Sequence, residues 1–384
     1  VSFAIALASA IVAFKRIILS NPHGGWDAWA IWNFHARFLF RDPVNWRTIF
    51  VQALSWSHSE YPLLLPGIIA RSWEYVGSDI PIGPALISAC FIFATVGLLL
   101  SSLARLRSAT QGLMAATILL CTPLFITNGA NEYADVPLSF FFLATLVSLC
   151  LRDIGRDQSN SAIHLSLTGI TAGFAAWTKN EGIMFLTVLL ATHLAISAKR
   201  DLRRYARDVR AISAGLLPVI ALTVYFKFKF APTNQIVGQQ HDRILHDLLD
   251  PTRYATITDY IANIVLKFGD WSVGPIPLLG FYYLFVSTRR MTESTRLTFK
   301  LLMVTLSITG LGYFFVYVVS PYDLKWHLST SLTRLLLQLW PSTLFLFFLA
   351  VRTPEELLAN ARGSSKQNRV TIETLNVQET LGNS

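Results

Sequence analysis

The chain has 384 residues, 53% hydrophobic and only 14% charged, with a mean hydropathy of +0.46 and a formal net charge of +9. This composition excludes an ordinary soluble domain and points to a membrane, where a crossing helix needs about 17–25 consecutive apolar residues. The positive charge requires no nucleic-acid partner, because it falls in short loops between apolar runs.

In chain order, apolar stretches near 1–20, 80–103, 109–127, 136–151, 163–178, 182–198, 211–230, 271–287, 297–319 and 335–351 read as ten transmembrane helices. The first has no small-residue cleavage site and reads as a retained helix. Arg105 and Arg107, Arg152 and Arg156, the run from Lys199 to Arg210, and Arg289, Arg290 and Arg296 fill alternate loops, which marks those loops as cytoplasmic. Ten spans put both termini in the cytoplasm and turn segments 21–79, 128–135, 179–181, 231–270 and 320–334 outward, in a multi-pass protein of the inner (plasma) membrane. Residues 1–351 form one polytopic domain, and 352–384, with Gly363, Ser364 and Ser365, read as a disordered cytoplasmic tail. Cys90, Cys121 and Cys150 lie inside apolar runs and form no disulfide or metal pattern.

The outward segments collect ionisable residues. At a helix centre such groups cost on the order of 2.5–3.5 kcal/mol, so a cluster at one surface is a candidate site, weighed against loop ends that are simply wet. Gly24 and Gly25 allow a sharp turn, after which Trp26, Trp29, Trp32, Ala36 and Leu39 recur at helical spacing, as in a helix lying flat with its rings at headgroup level. Asp27 falls in the first turn of that helix, where the dipole favours a carboxylate; an ordinary capping acid is the alternative. SHSEYPLLLPG places His58 and Glu60 before a helix opened by Pro62. NGANEYADVPL places Glu132 and Asp135 at the outer end of the fourth span, and WTKNEG inserts Lys179, Asn180 and Glu181 between two apolar runs.

The segment 231–270, with His241, Asp242, Arg243, His246 and Asp247, suits a lid and a connector equally. In SPYDLKWHLSTSLTRLLLQLWP, Trp326 and His327 lead through Ser329, Thr330 and Ser331 to Arg334, which opens the final span. Hydroxyls and an arginine at a helix N-terminus suit a phosphate, and a Ser/Thr cap with a snorkelling arginine suits the pattern nearly as well. No serine stands in an elbow context, and no His or Cys spacing indicates zinc.

In their order and sidedness the Trp26-Asp27-Ala28-Trp29 turn, SEYPLLLP, EYADVPLSFF, WTKNEG and DLKWHLSTSLTRLLLQLWP resemble the C-type superfamily (GT-C) of polytopic membrane glycosyltransferases, the group of protein O-mannosyltransferases and lipid A aminoarabinose transferases. The resemblance runs over roughly residues 20–345. It implies an all-α integral membrane bundle of about ten transmembrane helices with interfacial helices in the first external loop. It implies an enzyme moving a hexosyl or pentosyl group from a polyprenyl-phosphate donor to a glycan, lipid or protein acceptor at the external face. Asp27 is the implied general base; Lys179, His327 and Arg334 would meet the donor phosphate; His58, Glu60, Glu132, Asp135, Asn180, Glu181 and Trp326 would line the sugar or acceptor pocket. Many relatives bind a divalent metal through paired acids, whereas Ala28 follows Asp27 here, so a divalent metal stays open and no ligand is assigned. A transporter of lipid-linked sugars would show inverted repeats and mid-bilayer charges, which are not visible; a non-catalytic scaffold would tolerate Asp27→Asn.

Overall fold

The structure is a computed structural model that describes residues 1–154, 160–199, 201–232, 241–271, 274–289 and 291–359. Among the described residues, each of the ten apolar stretches is largely helical, as hydrocarbon demands when it offers backbone groups no partner. Together with the helices between them, the order is α1 (Ser2–Ser20), a π turn (Ala28–Trp32) running into α2 (Asn33–Arg41), α3 (Leu64–Val76), α4 (Ile82–Leu106), α5 (Ala109–Leu120), α6 (Pro123–Ala130), α7 (Asp135–Ile154) and α8 (Ser161–Thr178). They continue as α9 (Asn180–His193), α10 (Leu202–Lys229), α11 (His241–Leu249), α12 (Pro251–Lys267), α13 (Pro275–Val286), α14 (Glu293–Val318) and α15 (Leu324–Ala350).

Among the described residues, seven helices are long and apolar enough to cross a membrane, and α5 with α6, bent by 62°, makes an eighth if the pair is one broken span. The expected run 109–127 breaks because Pro123, at the start of α6, cannot donate into the preceding turn. The expected span 271–287 shrinks to the twelve residues of α13, about 18 Å of helix. Connectivity adds passages that length alone misses. α7 and α9 both begin at the end that holds Asp135 and Asn180, so α8 must return the chain from Arg152 to Lys179. Thr288 pairs with Val351 at the far end of α15, so α12 and α13 together bring the chain back before α14.

Small residues allow this packing. A Cβ on Gly169 would stand 2.0 Å from the Ile212 carbonyl oxygen, and one on Gly215 2.0 Å from that of Ser166, so α8 and α10 touch backbone to backbone. α7 is the central helix, with 83% of its apolar stretch buried, against 11% for α1 on the rim.

Several expected loops are ordered differently. The 231–270 segment holds α11 and α12, docked where Arg253 donates to the Tyr317 and Ser320 carbonyls at 3.0 Å and Arg243 to that of Pro321 at 2.8 Å. The expected lid residues 233–240, and the side chains of His241 and Asp242, lie outside the described residues. α15 begins at Leu324, so most of 320–334 is helix and Arg334 stands well inside it. Of the expected tail, residues 354–359 are helical, capped by reciprocal Thr353 and Glu356 bonds and tied to the bundle by Arg107. Residues 360–384 lie outside the described residues, as do Arg156, Arg200 and Arg290.

The basic loops gather at one end. There Arg152 pairs with Asp208 at 2.5 Å, Arg204 with Asp153 at 3.2 Å, and Arg107 with Glu356 at 3.3 Å. Asp135 opens α7 at the other end, about 26 Å away along the helix.

Candidate active site

Two glycines press the first loop onto the turn before α7. Gly24 has a φ of 73°, and a Cβ there would meet the Asn131 carbonyl at 2.8 Å; one on Gly25 would meet the Tyr133 hydroxyl at 2.6 Å. The Gly25 N–H donates to the Asn131 carbonyl at 2.9 Å. Asp27, immediately before the π turn, is thereby held beside Asp135, the first residue of α7. Lys179 is the single extended residue between α8 and α9, and this break turns its side chain into the same space.

These side chains form one ion network. Arg334 donates through Nη2 to Asp27 at 2.5 Å and through Nε to Asp135 at 2.8 Å. The other Asp135 oxygen takes Lys179 Nζ at 3.1 Å and Gln338 Nε2 at 2.6 Å, and Lys179 also meets Glu181 at 2.8 Å. Tyr313 donates to Gln338 at 2.6 Å, which fixes the orientation of that amide. The Asp135 side chain is 0% exposed and that of Lys179 6%, so the attraction acts at low dielectric. Burial alone would lower the Lys179 pKa, but Asp135 and Glu181 outweigh it and keep the ammonium charged well above its ordinary range. Burial, then Glu181, raises the Tyr61 phenol, and burial with Asp27 raises that of Tyr133. The Arg334 guanidinium lies 4.5 Å above the Tyr133 ring.

A second layer surrounds the network. Lys227, near the end of α10, donates to the Glu60 carbonyl and to Asn180 Oδ1, both at 2.6 Å. His58 Nδ1 lies 3.3 Å from Glu60 and its ring stacks on Tyr61, whose other neighbour is Trp32 at 5.5 Å. Trp32 is 1% exposed, so it belongs to this stack and not to a headgroup belt, unlike Trp26 and Trp29, which are exposed. The π turn explains the departure: the extra residue per turn rotates Trp32 off the outward stripe. His58 and Glu132 adopt left-handed backbone, with φ of 52° and 60°. One carboxyl oxygen of Glu181 is buried without a hydrogen-bond partner among the described residues.

The structure thus joins Asp27, Asp135, Lys179, Glu181 and Arg334 directly, with Glu60, His58 and Asn180 alongside. It sets others apart. Glu132 bonds Asn33 at 2.7 Å, and burial pushes its carboxyl up to about 7. His327 bonds Ser320 at 2.7 Å and faces Tyr317, while Trp326 is exposed against Tyr322. The Ser329, Thr330 and Ser331 hydroxyls donate to carbonyls of their own helix, so the expected phosphate cradle at a helix N-terminus does not form.

Gln338, Lys227, Tyr61 and Tyr133 were not anticipated. A readable signal existed for two of them, since Gln338 interrupts LLLQLW and Lys227 interrupts YFKFKF, polar residues inside apolar runs. Asp27 and Asp135 converge on Arg334 rather than on a shared donor set, and among the described residues no three His, Cys, Asp or Glu side chains stand close enough to share a metal ion. A cavity of about 490 Å³ lined by Arg152, Asp208 and His193 lies at the basic end, away from this network.

The fold is a known one. Two solved structures of ArnT from Cupriavidus metallidurans align with 90% of this chain: the apo form at a TM-score of 0.56 and 13% identity, and the form bound to undecaprenyl phosphate at 0.58 and 14%. The chain covers 58% and 59% of those proteins, about three fifths of their length. No curated protein matches the chain. The family model for dolichyl-phosphate-mannose-protein mannosyltransferases matches residues 5–234, a stretch that contains Asp27, Glu60, Asp135, Lys179 and Lys227. This all-helical, multi-pass chain belongs to that family, within the GT-C membrane glycosyltransferases.

Proposed function

We propose that the protein transfers a sugar from a polyprenyl-phosphate donor to an acceptor hydroxyl at the outer membrane surface, with Asp27 as general base. The observation that carries this reading is the buried network at one end of the bundle, in which Arg334 holds Asp27 beside Asp135 and Lys179. Family membership and the undecaprenyl phosphate held by a protein of the same fold support the donor class. The basic loops at the opposite end support an external site.

Arg334 engages one oxygen of Asp27 and orients the carboxylate. The acceptor hydroxyl donates to the other oxygen. As the acceptor oxygen bonds to the sugar C1, Asp27 takes the proton, a contribution of about 10²–10⁴-fold. The bond from C1 to the phosphate oxygen breaks, and the polyprenyl phosphate leaves with the electron pair and one more negative charge, which the cations of the site stabilise. The unpartnered Glu181 oxygen suits a sugar hydroxyl, and the Trp32, Tyr61 and His58 stack gives the pocket a rigid wall. The donor is a hexosyl or pentosyl lipid, and the acceptor is a glycan, lipid or protein.

Mass spectrometry of lipid and envelope-glycan extracts tests this. Cells carrying Asp27→Asn at matched membrane expression accumulate a polyprenyl-phosphate sugar and lose one sugar increment from an acceptor. Identical extracts would overturn the enzymatic reading and favour a binding scaffold.

A further inference from the structure

We infer that Lys227 is the residue that grips the donor phosphate, an assignment that rests on the glycosyl-transfer reading above. Lys179 and Arg334 are the obvious cations, yet each already faces two carboxylates: Lys179 meets Asp135 and Glu181 at 3.1 and 2.8 Å, and Arg334 meets Asp27 and Asp135 at 2.5 and 2.8 Å. A phosphate arriving there competes with partners of its own sign. Lys227 is held differently. Its two hydrogen-bond partners, the Glu60 carbonyl and Asn180 Oδ1, are neutral, and the Glu60 and Glu181 carboxylates attract it electrostatically without standing among its hydrogen-bond partners. An ammonium has three donors, and these neutral oxygens take two of them, which leaves the third for an anion.

Its position suits a lipid phosphate. Asn180 sits between Lys179 and Glu181, so Lys227 borders the network that orients Asp27. Around it the end of α10 carries an aromatic wall. Phe226 packs on Trp177 at 5.4 Å and on Phe50 at 5.8 Å; Phe230 packs on Trp46 at 5.2 Å, with Arg47 5.3 Å above its ring. Tyr225 and Phe228 stay exposed on the same stretch. A polyprenyl chain laid along the exposed Tyr225 and Phe228 rings brings its headgroup to Lys227, where a phosphate oxygen takes the third ammonium donor directly.

The test measures binding of a long-chain polyprenyl phosphate and of its parent polyprenol to the full chain in lipid nanodiscs. The wild type binds the phosphate more tightly than the alcohol. Lys227→Met weakens the phosphate by about tenfold or more, leaves polyprenol binding within about twofold, and Lys227→Arg restores the preference. Should the methionine variant fold poorly, Asn180→Asp decides: it sets a carboxylate against Lys227 and weakens the phosphate selectively, with the unfolding midpoint of the lipid-free protein unchanged. Equal loss of both lipids in either variant, or wild-type phosphate binding in Lys227→Met while Arg334→Met loses it, overturns the assignment and leaves the enzyme reading standing. A wild-type protein that does not distinguish phosphate from alcohol overturns both.

Discussion

Replacing Asp135 by asparagine should cost about 3 kcal/mol of folding stability, mostly through the residues it leaves behind. The carboxylate is fully buried and accepts from Arg334, Lys179 and Gln338. An asparagine of the same shape keeps one acceptor oxygen but turns an amide donor toward a cation. Breaking a buried ion pair from one side costs about 3–5 kcal/mol. The lower end applies here, because Lys179 keeps Glu181 at 2.8 Å and Arg334 keeps Asp27 at 2.5 Å. Denaturant titration of the detergent-solubilised chain, followed by tryptophan emission, measures the loss. A double-mutant cycle with Lys179→Met isolates the pair, since methionine retains the apolar stem, and the double variant should be milder than the sum of the singles by about 1–3 kcal/mol. A single variant within about 0.5 kcal/mol of wild type, or strict additivity, would refute the shared-carboxylate reasoning.

Gly169→Ala should lower the unfolding midpoint by separating α8 from α10, because its Cβ would stand 2.0 Å from a backbone oxygen that cannot yield; overpacking of this kind costs about 1–3 kcal/mol or more. Burial raises the Glu132 carboxyl from 4.5 to about 7, against the pull of Asn33 and Arg37, so the folded state holds this proton more tightly than the unfolded chain. Stability is therefore fullest below about pH 4.5 and falls as pH rises through about 7, by roughly 3 kcal/mol in all. Unfolding titrations of Glu132→Gln should lose that slope, and a variant that keeps it places the titration elsewhere. Arg152→Met leaves Asp208 buried and unpaired at the basic end, so it should cost about 3–5 kcal/mol of stability while leaving the donor KM unchanged. A raised KM would show that the two ends are coupled.

The charged members of the site were legible because each sits at the end of an apolar run, where its cost demands a reason. Asp27, Asp135, Lys179 and Glu181 all met that criterion and all lie in one network. Arg334 was found as well, but in the wrong setting. Its neighbours Ser329 to Ser331 read as a phosphate cradle because hydrophobicity rises only after Arg334, whereas the helix itself starts at Leu324. Hydropathy marks where lipid begins and not where hydrogen bonding does. Gln338 and Lys227 were missed for a related reason: inside an apolar run a lone polar residue reads as an interruption until its partner, far along the chain, is in place. Trp32 shows the limit of periodicity, since one π turn suffices to move a ring from the surface into the core. The break between α5 and α6 was readable at Pro123, in a run whose composition otherwise gives no sign of it.

The bond from Arg334 to Asp27 spans 307 positions of sequence, and the one to Asp135 spans 199. A chain synthesised from its N-terminus therefore inserts both acids long before their arginine leaves the ribosome. Until α15 arrives, Asp27 and Asp135 have Lys179 as their counter-charge in this network. The ion network therefore closes only once α15 is in place, so its assembly depends on contacts between parts of the chain far apart in sequence.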